Sequence, residues 1–600
     1  MIGIRVIGAV LVLLGWAVLP ARAQISKGQQ IVLNRGLQLQ GVVITGDVFH
    51  LSTYSNAYFT SIDWMGQSDP SLMGPAPGYA WSQWISSETN MPGAPAAPDE
   101  TPYLPQLISI QLGDEWDLNN PDVLTRAVNW FNSVRTNWPN TILYGNNWGG
   151  QIQPGPLWNY ITNAQPDMLC FDTYPFQSQY DTNFPDDIGA PLGWNTHNSL
   201  LTQWYGWLAQ YRTNALGANL PLAMYRQAFH SVQSDNSTVY RDPSPSELRL
   251  NTSAALAFNA KWLISYIYLT GNSSLFYFPG GDTYPTPLYH EQADANLRAL
   301  NLGKALVCLK PVYDLHNTND VNPPPGPGSD NPNFKDGWIT SILFFRGRYL
   351  SGGVTNWTDV PSHFSNDPEG DTLGSVNTPA YVNYTWWEAL KNDPYLAGWG
   401  LTNKAGVVND GLPGDVILAW FRPLDESFDG PNYTNEIYFM VVNALTATNG
   451  TAADCLQEIK LNFKVGTSGI NSVVMLDPET GLLTTNTMPI LTGTGSNTKR
   501  QLVLDLNGGD AALFKFDDGA PFVGFIPPAQ PHLGISLQSG RPCISLTQLT
   551  PGARYQLQYS PLVSPPVWST LTSLLLTNSS CQFLDLVSTN GALYRAVGIP

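Results

Sequence analysis

Eight short apolar runs, each followed by a loop or an amphipathic stretch, recur between residues 38 and 280. They are LQLQGVVI (38–45), AYFTSIDW (57–64), YAWSQWI (79–85), LISIQLGDE (107–115), TILYGNN (141–147), DMLCFDTYP (167–175), PLAMYRQA (221–228) and SLFYFPG (274–280). Helix-like stretches follow or precede several of them, at 123–138, 198–213 and from Ser244 to about Leu269. Ser244-Pro245-Ser246-Glu247 has the order of a capping box with proline at the first helical position. Strands alternating with helices eight times over predict a (β/α)8 barrel. An open doubly wound sheet competes, but no G-x-G-x-x-G turn follows any of the runs.

Two proline-rich joints divide the rest. Residues 317–337 (NTNDVNPPPGPGSDNPNFKDG) and 524–534 (GFIPPAQPHLG) separate a barrel at 24–316, a second region at 338–523 and a tail at 535–600. The second region carries NEIYFMVVNAL, EIKLNFKV, INSVVMLD, RQLVLDLN and AALFKFD between Gly/Asn/Thr turns, which predicts an antiparallel β-sandwich. The tail reads as a small β-module.

A parallel barrel works at the C-terminal ends of its strands, so the acids there are the first candidates. The fourth run closes on Asp114 and Glu115 and the sixth on Asp172. Alternation along 107–115 puts Ile108, Ile110 and Leu112 on the helix-facing side, and Ser109, Gln111, Gly113 and Glu115 on the inner side. Glu115 then points into the mouth and Asp114 sideways, while Asp172 and Tyr174 share the inner face with Cys170. Two carboxyl groups across a cleft suit glycosidic bond hydrolysis, one donating a proton and the other attacking or activating water. Glu115 is the expected donor and Asp172 the expected nucleophile or base. Asp63, Asp114, Asn146, Asn147, Gln227, His230 and Asp282 are candidate polar contacts to a sugar, and Trp64, Trp84, Trp148, Tyr174 and Tyr225 candidate walls. The plainer reading of Asp117 or Asn120 is a cap on the following helix.

Composition narrows the partners. The formal charge of −18, without a basic cluster, argues against nucleic acid and anionic membranes. The 20 tryptophans and 27 tyrosines suit the apolar faces of sugar rings, so a carbohydrate is the expected partner. Residues 1–23 have the pattern of a cleaved leader: Arg5, an apolar run at 6–19, and Ala21-Arg22-Ala23. A secreted or periplasmic chain with no later membrane span is expected. The five cysteines, 170, 308, 455, 543 and 581, show no zinc-ligand spacing, and no cofactor is expected. Cys543 and Cys581 are candidates for a disulfide after export, and Cys170 and Cys308 for buried thiols.

The strand ends Gly113-Asp114-Glu115 and Phe171-Asp172-Thr173-Tyr174-Pro175 resemble those of secreted TIM-barrel glycoside hydrolases. LFYF, the expected helix LGKALVCLKPV (302–312) and a sandwich ending GGDAALFKF add to that likeness over roughly residues 38–520. The resemblance implies an acid/base glutamate on the fourth strand, which Glu115 matches, and a nucleophilic glutamate on the seventh. Gln227 stands there instead. Either Asp172 is the second carboxylate, or the barrel binds glycans without cleaving them. A metal-assisted hydrolase using Asp63, Asp114, Asp172 and His230 is a third reading.

Overall fold

The computed structural model describes residues 25–44, 49–65, 79–85, 101–149, 151–152, 154–177, 199–232, 239–269, 274–277, 284–312, 342–345, 395–408, 411, 413–414, 416–424, 436–466, 468–526, 528–561, 566, 568–575, 579–585 and 592–599. The leader and the 317–337 joint lie outside them, as does Asp282.

The first module is a closed parallel barrel. Its strands are β1 (Gln38–Ile44), β2 (Ser61–Met65), β3 (Ala80–Ile85), β4 (Leu107–Asp114), β5 (Ile142–Trp148), β6 (Leu169–Asp172) and β7 (Leu222–Gln227). A short hairpin, β8 (Ser231–Val232) and β9 (Val239–Tyr240), follows β7, and β10 (Ala260–Leu269) closes the ring between β7 and β1. Described helices are α1 (Lys27–Arg35), α2 (Leu51–Asn56), α3 (Pro121–Asn137), α4 (Pro154–Ala164), α5 (Ser199–Gly217), α6 (Pro245–Ala257) and α7 (Pro287–Leu306).

Local chemistry sets the helix starts. Asn120 caps α3 by accepting from Asp122 N, with Pro121 at the first position. Ser244 and Glu247 form a full capping box on α6, worth about 1 kcal/mol for the cap itself. The apolar side of β4, Ile108, Ile110 and Leu112, is buried under the helices. The small polar side fills the barrel: Gln40 Nε2 donates to Ser61 Oγ at 2.9 Å and Ser82 Oγ at 2.7 Å. Its Oε1 accepts from Trp262 Nε1 at 2.6 Å, and Ser82 and Ser109 hydroxyls meet at 2.6 Å. Every interior polar group in this layer finds a partner, which lets serine and glutamine replace the usual aliphatic filling.

The eighth barrel strand is not the expected 274–280 run. That position belongs to β10, while Ser274 and Tyr277 make only isolated bridges, to Phe229 and Pro285. α6 stops at Ala257 and Asn259 turns the chain with φ of 76° before the β-branched and aromatic residues of β10 begin. Both α6 and β10 are buried nearly all round, so no periodicity marks the change. The 302–312 helix also ends early. α7 stops at Leu306, and Leu309–Pro311 pairs antiparallel with Val416–Pro423 as part of the next module.

That module is a sandwich of two antiparallel sheets. One follows the path Leu309–Pro311, Val416–Pro423, Tyr438–Asn443, Ala511–Phe516, Ser472–Leu476 and Leu483–Thr487, with Ile342–Phe345 also on Val416–Pro423. The other runs Leu396–Asn403, Gln457–Lys464, Lys499–Leu506 and Ile490–Thr492. Trp420, Phe439, Phe463, Phe514 and Phe516 form its core. Asp510 ties it to the barrel, lying 2.9 Å from Arg249 of α6 and 3.8 Å from Arg298 of α7.

The tail forms two three-stranded sheets. Cys543 pairs across with Leu584 and Cys581 with Leu546, three residues out of step, so the expected disulfide does not form and both remain thiols. Among the described residues no helix is long and apolar enough to cross a membrane.

Candidate active site

The regular alternation of β4 fails just where it reaches the acids. Gln111 pairs with Tyr144 and Asp114 with Asn146, three residues on β4 against two on β5. This bulge shifts the phase by one and turns Asp114 inward, where alternation alone had it facing sideways. Gly113 permits the bulge at φ of 83°; a Cβ there would come within 2.5 Å of the Trp116 indole nitrogen. Glu115 follows at φ of 47°, its backbone N donating to Asn146 O at 3.0 Å and its carbonyl accepting from Gln151 Nε2 at 2.7 Å. Its side chain is brought to the mouth by a turn instead of by strand parity.

Asp114, Glu115 and Asp172 meet there. Asn146 Nδ2 donates to Asp114 Oδ1 at 2.9 Å and to Asp172 Oδ1 at 3.1 Å, and Gln111 Nε2 lies 3.3 Å from Asp114 Oδ1. The Asp172 carboxyl lies close enough to Glu115 and Asp114 to feel both charges. Burial, then the charges of Glu115 and Asp114, hold the Asp172 carboxyl well above the usual carboxylate range. Burial raises Asp114 to about 6, against the stabilising bond from Asn146. Asp63 sits deeper on the axis, fully buried, and burial raises it to about 7.

Aromatic rings surround the acids. Trp84 stands 6.4 Å from Tyr225 and 6.2 Å from Tyr266, and Tyr174 packs edge-on to Phe229 at 4.9 Å. Trp148, 44% exposed, lies 6.0 Å from Trp207 on the rim.

Other sequence candidates fall elsewhere. Trp64 turns outward, buried against Phe49 at 5.4 Å, and Asn147 turns out to donate to Cys170 O at 3.4 Å. Gln227 is inward but spent: its Oε1 accepts from Phe176 N at 2.9 Å, and its Nε2 donates to Phe176 O and Arg241 O, both at 3.0 Å. His230 pairs with Asp242 at 3.1 Å, and both are exposed. Among the described residues no three His, Cys, Asp or Glu side chains are grouped to hold a metal ion.

No protein-family model and no curated protein matches the chain. Solved structures that it resembles include a β-galactosidase from Marinomonas ef1, at 10% identity over 46% of this chain and 63% of that one, with a TM-score of 0.31. Another is the endo-α-mannosidase of Bacteroides thetaiotaomicron, at 10% identity over 42% of this chain and 78% of that one, TM-score 0.28. A third is described as a glycoside hydrolase, at 10% identity over 82% of this chain and 97% of that one, TM-score 0.37. At such scores the barrel stands on its own strand register, not on these likenesses.

Sequence reasoning missed Gln111, Tyr266 and Trp207 as members of the site. Gln111 was legible, since alternation already placed it inward one step below the acids. Tyr266 was hidden with the unrecognised strand β10. Trp207 lies on α5, where nothing in the sequence ties it to Trp148.

Proposed function

We propose that the barrel is an exported glycan hydrolase working through the Asp172–Glu115 pair at its mouth. One observation supports it above the others: a buried carboxyl, pushed by burial and its acidic neighbours to hold its proton to higher pH, stands beside a second carboxyl at the strand ends, inside a ring of aromatic side chains. The proton on Asp172 makes it the general acid that protonates the leaving oxygen, and Glu115 the nucleophile or base. This exchanges the roles expected from strand position alone. Asp114, fixed by Asn146 and Gln111, supports the pair. Trp84 and the Trp148–Trp207 rim supply stacking faces, and three clustered carboxyl groups favour neutral over anionic sugars. The leader at 1–23 fits export, and the boundaries at 317–337 and 524–534 fit a catalytic barrel with two accessory β-modules.

Asp172→Asn and Glu115→Gln, each measured for release of reducing ends from a panel of neutral oligo- and polysaccharides, test the reading. Loss of release in both with an unchanged circular dichroism spectrum supports it; full activity in either ends it. Gln227, locked where a carboxylate is absent, favours a second reading of glycan binding without cleavage. Binding by the native chain with no released ends would establish that alternative.

A further inference from the structure

The orientation of Gln111 is fixed by a backbone carbonyl. Its Nε2 lies 3.2 Å from Gly113 O, which can only accept, so the amide nitrogen faces that side and Oε1 the other. Oε1 lies 2.5 Å from the Tyr225 hydroxyl, and an amide oxygen cannot donate. The single phenol proton is therefore committed to Gln111. Yet the Tyr225 oxygen is also 3.3 Å from Asp63 Oδ2, a contact that now needs its proton from the other side. Asp63 is fully buried, and among the described residues its Oδ1 has no hydrogen-bond partner. An ionised Asp63 would be a buried charge with no donor of its own, which proteins rarely tolerate.

We propose that Asp63 is a proton-bearing positioning residue: its O–H donates to Tyr225, Tyr225 donates to Gln111, and Gln111 thereby holds Asp114 beside Asp172. The chain crosses the barrel from β2 to β7 to β4. Losing the Asp63 proton turns the Tyr225 hydroxyl back onto Asp63 and leaves Gln111 Oε1 without a donor, which frees the amide that restrains Asp114. The titratable groups facing Asp63 are Tyr225 of β7, Asp114 of β4, Tyr144 of β5, Cys170 of β6 and Tyr54 of α2. Arg226, which acts on Tyr54, is directed outward to Thr252, Asn296 and Ser265. Burial, the largest influence on Asp63, accordingly favours the neutral acid below about pH 7.

The proton is read directly by infrared spectroscopy on the full chain, and its effect on positioning by kinetics, which rest on the hydrolase reading above. At pH 6, Asp63→Asn is expected to remove one protonated-carboxyl stretch. Tyr225→Phe keeps that carboxyl but shifts its stretch to the higher frequency of a group without an acceptor. In kinetics, the alkaline limb of log kcat against pH falls with a slope of about two when Asp63 and Asp172 both ionise, and about one in Asp63→Asn. No carboxyl band lost in Asp63→Asn would overturn the proton assignment. A band lost with an unchanged slope would overturn the positioning role. If no glycan is cleaved at all, the hydrolase reading falls while the infrared result still decides where the proton sits.

Discussion

Asn146 donates to the Asp172 carboxyl at 3.1 Å from the adjacent strand, and this bond steadies the carboxyl proposed as the proton donor. The same amide nitrogen reaches Asp114 at 2.9 Å, so one side chain sets two carboxyl groups at once.

Asn146→Ala removes a donor that lowers both Asp172 and Asp114. Both carboxyls then hold their protons to higher pH. The pH–rate profile of the variant moves to the alkaline side, with kcat reduced because the two acids lose their common anchor. A profile with unchanged midpoints would exclude Asn146 from this role.

General acid catalysis matters in proportion to how badly the leaving group needs a proton. Asp172→Asn should therefore lose roughly 10²–10⁴-fold on natural glycans and far less on aryl glycosides whose phenolate leaves unaided. Glu115→Gln should lose activity on both. Equal losses across leaving groups in Asp172→Asn would contradict the assignment of the proton donor.

Much of the barrel was legible because strands must alternate faces, and the run 107–112 obeys that rule up to Gln111. The mouth was less legible because its residues sit where the rule lapses. The bulge at Gly113 turns in Asp114, a consequence of local φ values that residue identities only hint at. β10 was invisible for the opposite reason: α6 and β10 are both buried on nearly every side, and a uniformly apolar stretch carries no period. Gln227 shows a third limit. Its inward position was readable, but not that three backbone groups from other segments use up its amide.

A carboxyl raised by burial costs stability as the pH climbs. Asp63, shifted from 3.8 to about 7, leaves the fold unpenalised below its unfolded value and destabilises it progressively as the pH rises toward and past 7. The full shift corresponds to roughly 4 kcal/mol. Asp63→Asn cannot ionise, so its Tm should exceed that of the native chain at pH 8 by more than it does at pH 4. Calorimetric scans at the two pH values check this, and an equal difference at both would refute it.

Asp510 is the joint between barrel and sandwich, 6% exposed and 2.9 Å from Arg249. Burial raises its carboxyl from the ordinary range, and the two arginines oppose that rise. Asp510→Ala leaves Arg249, 13% exposed, facing the module boundary without this partner. Arg249 keeps Asp294 at 2.9 Å and Glu291 at 3.4 Å, so the cost falls below the roughly 3–5 kcal/mol of a buried charge left without any partner. The expected result is a lower calorimetric midpoint and faster proteolysis between the modules; an unchanged midpoint would show that the joint does not depend on this pair.

Installing a carboxylate on β7 is the obvious attempt to improve the site, and the geometry predicts that it fails. In Gln227→Glu, the oxygen that replaces Nε2 faces the carbonyls of Phe176 and Arg241, both acceptors, in a fully buried position. The new side chain must either hold a proton, bonding one carbonyl and abandoning the other, or ionise against both. Either outcome leaves a buried group unsatisfied, at about 1–3 kcal/mol for a neutral group and more for a charge. It also loosens the tie between the segment after β6, which follows directly from Asp172, and the residue after β9. Gln227→Glu should therefore lower Tm and reduce glycan cleavage. A variant that gains activity at undiminished stability would show that β7 supplies a catalytic position after all.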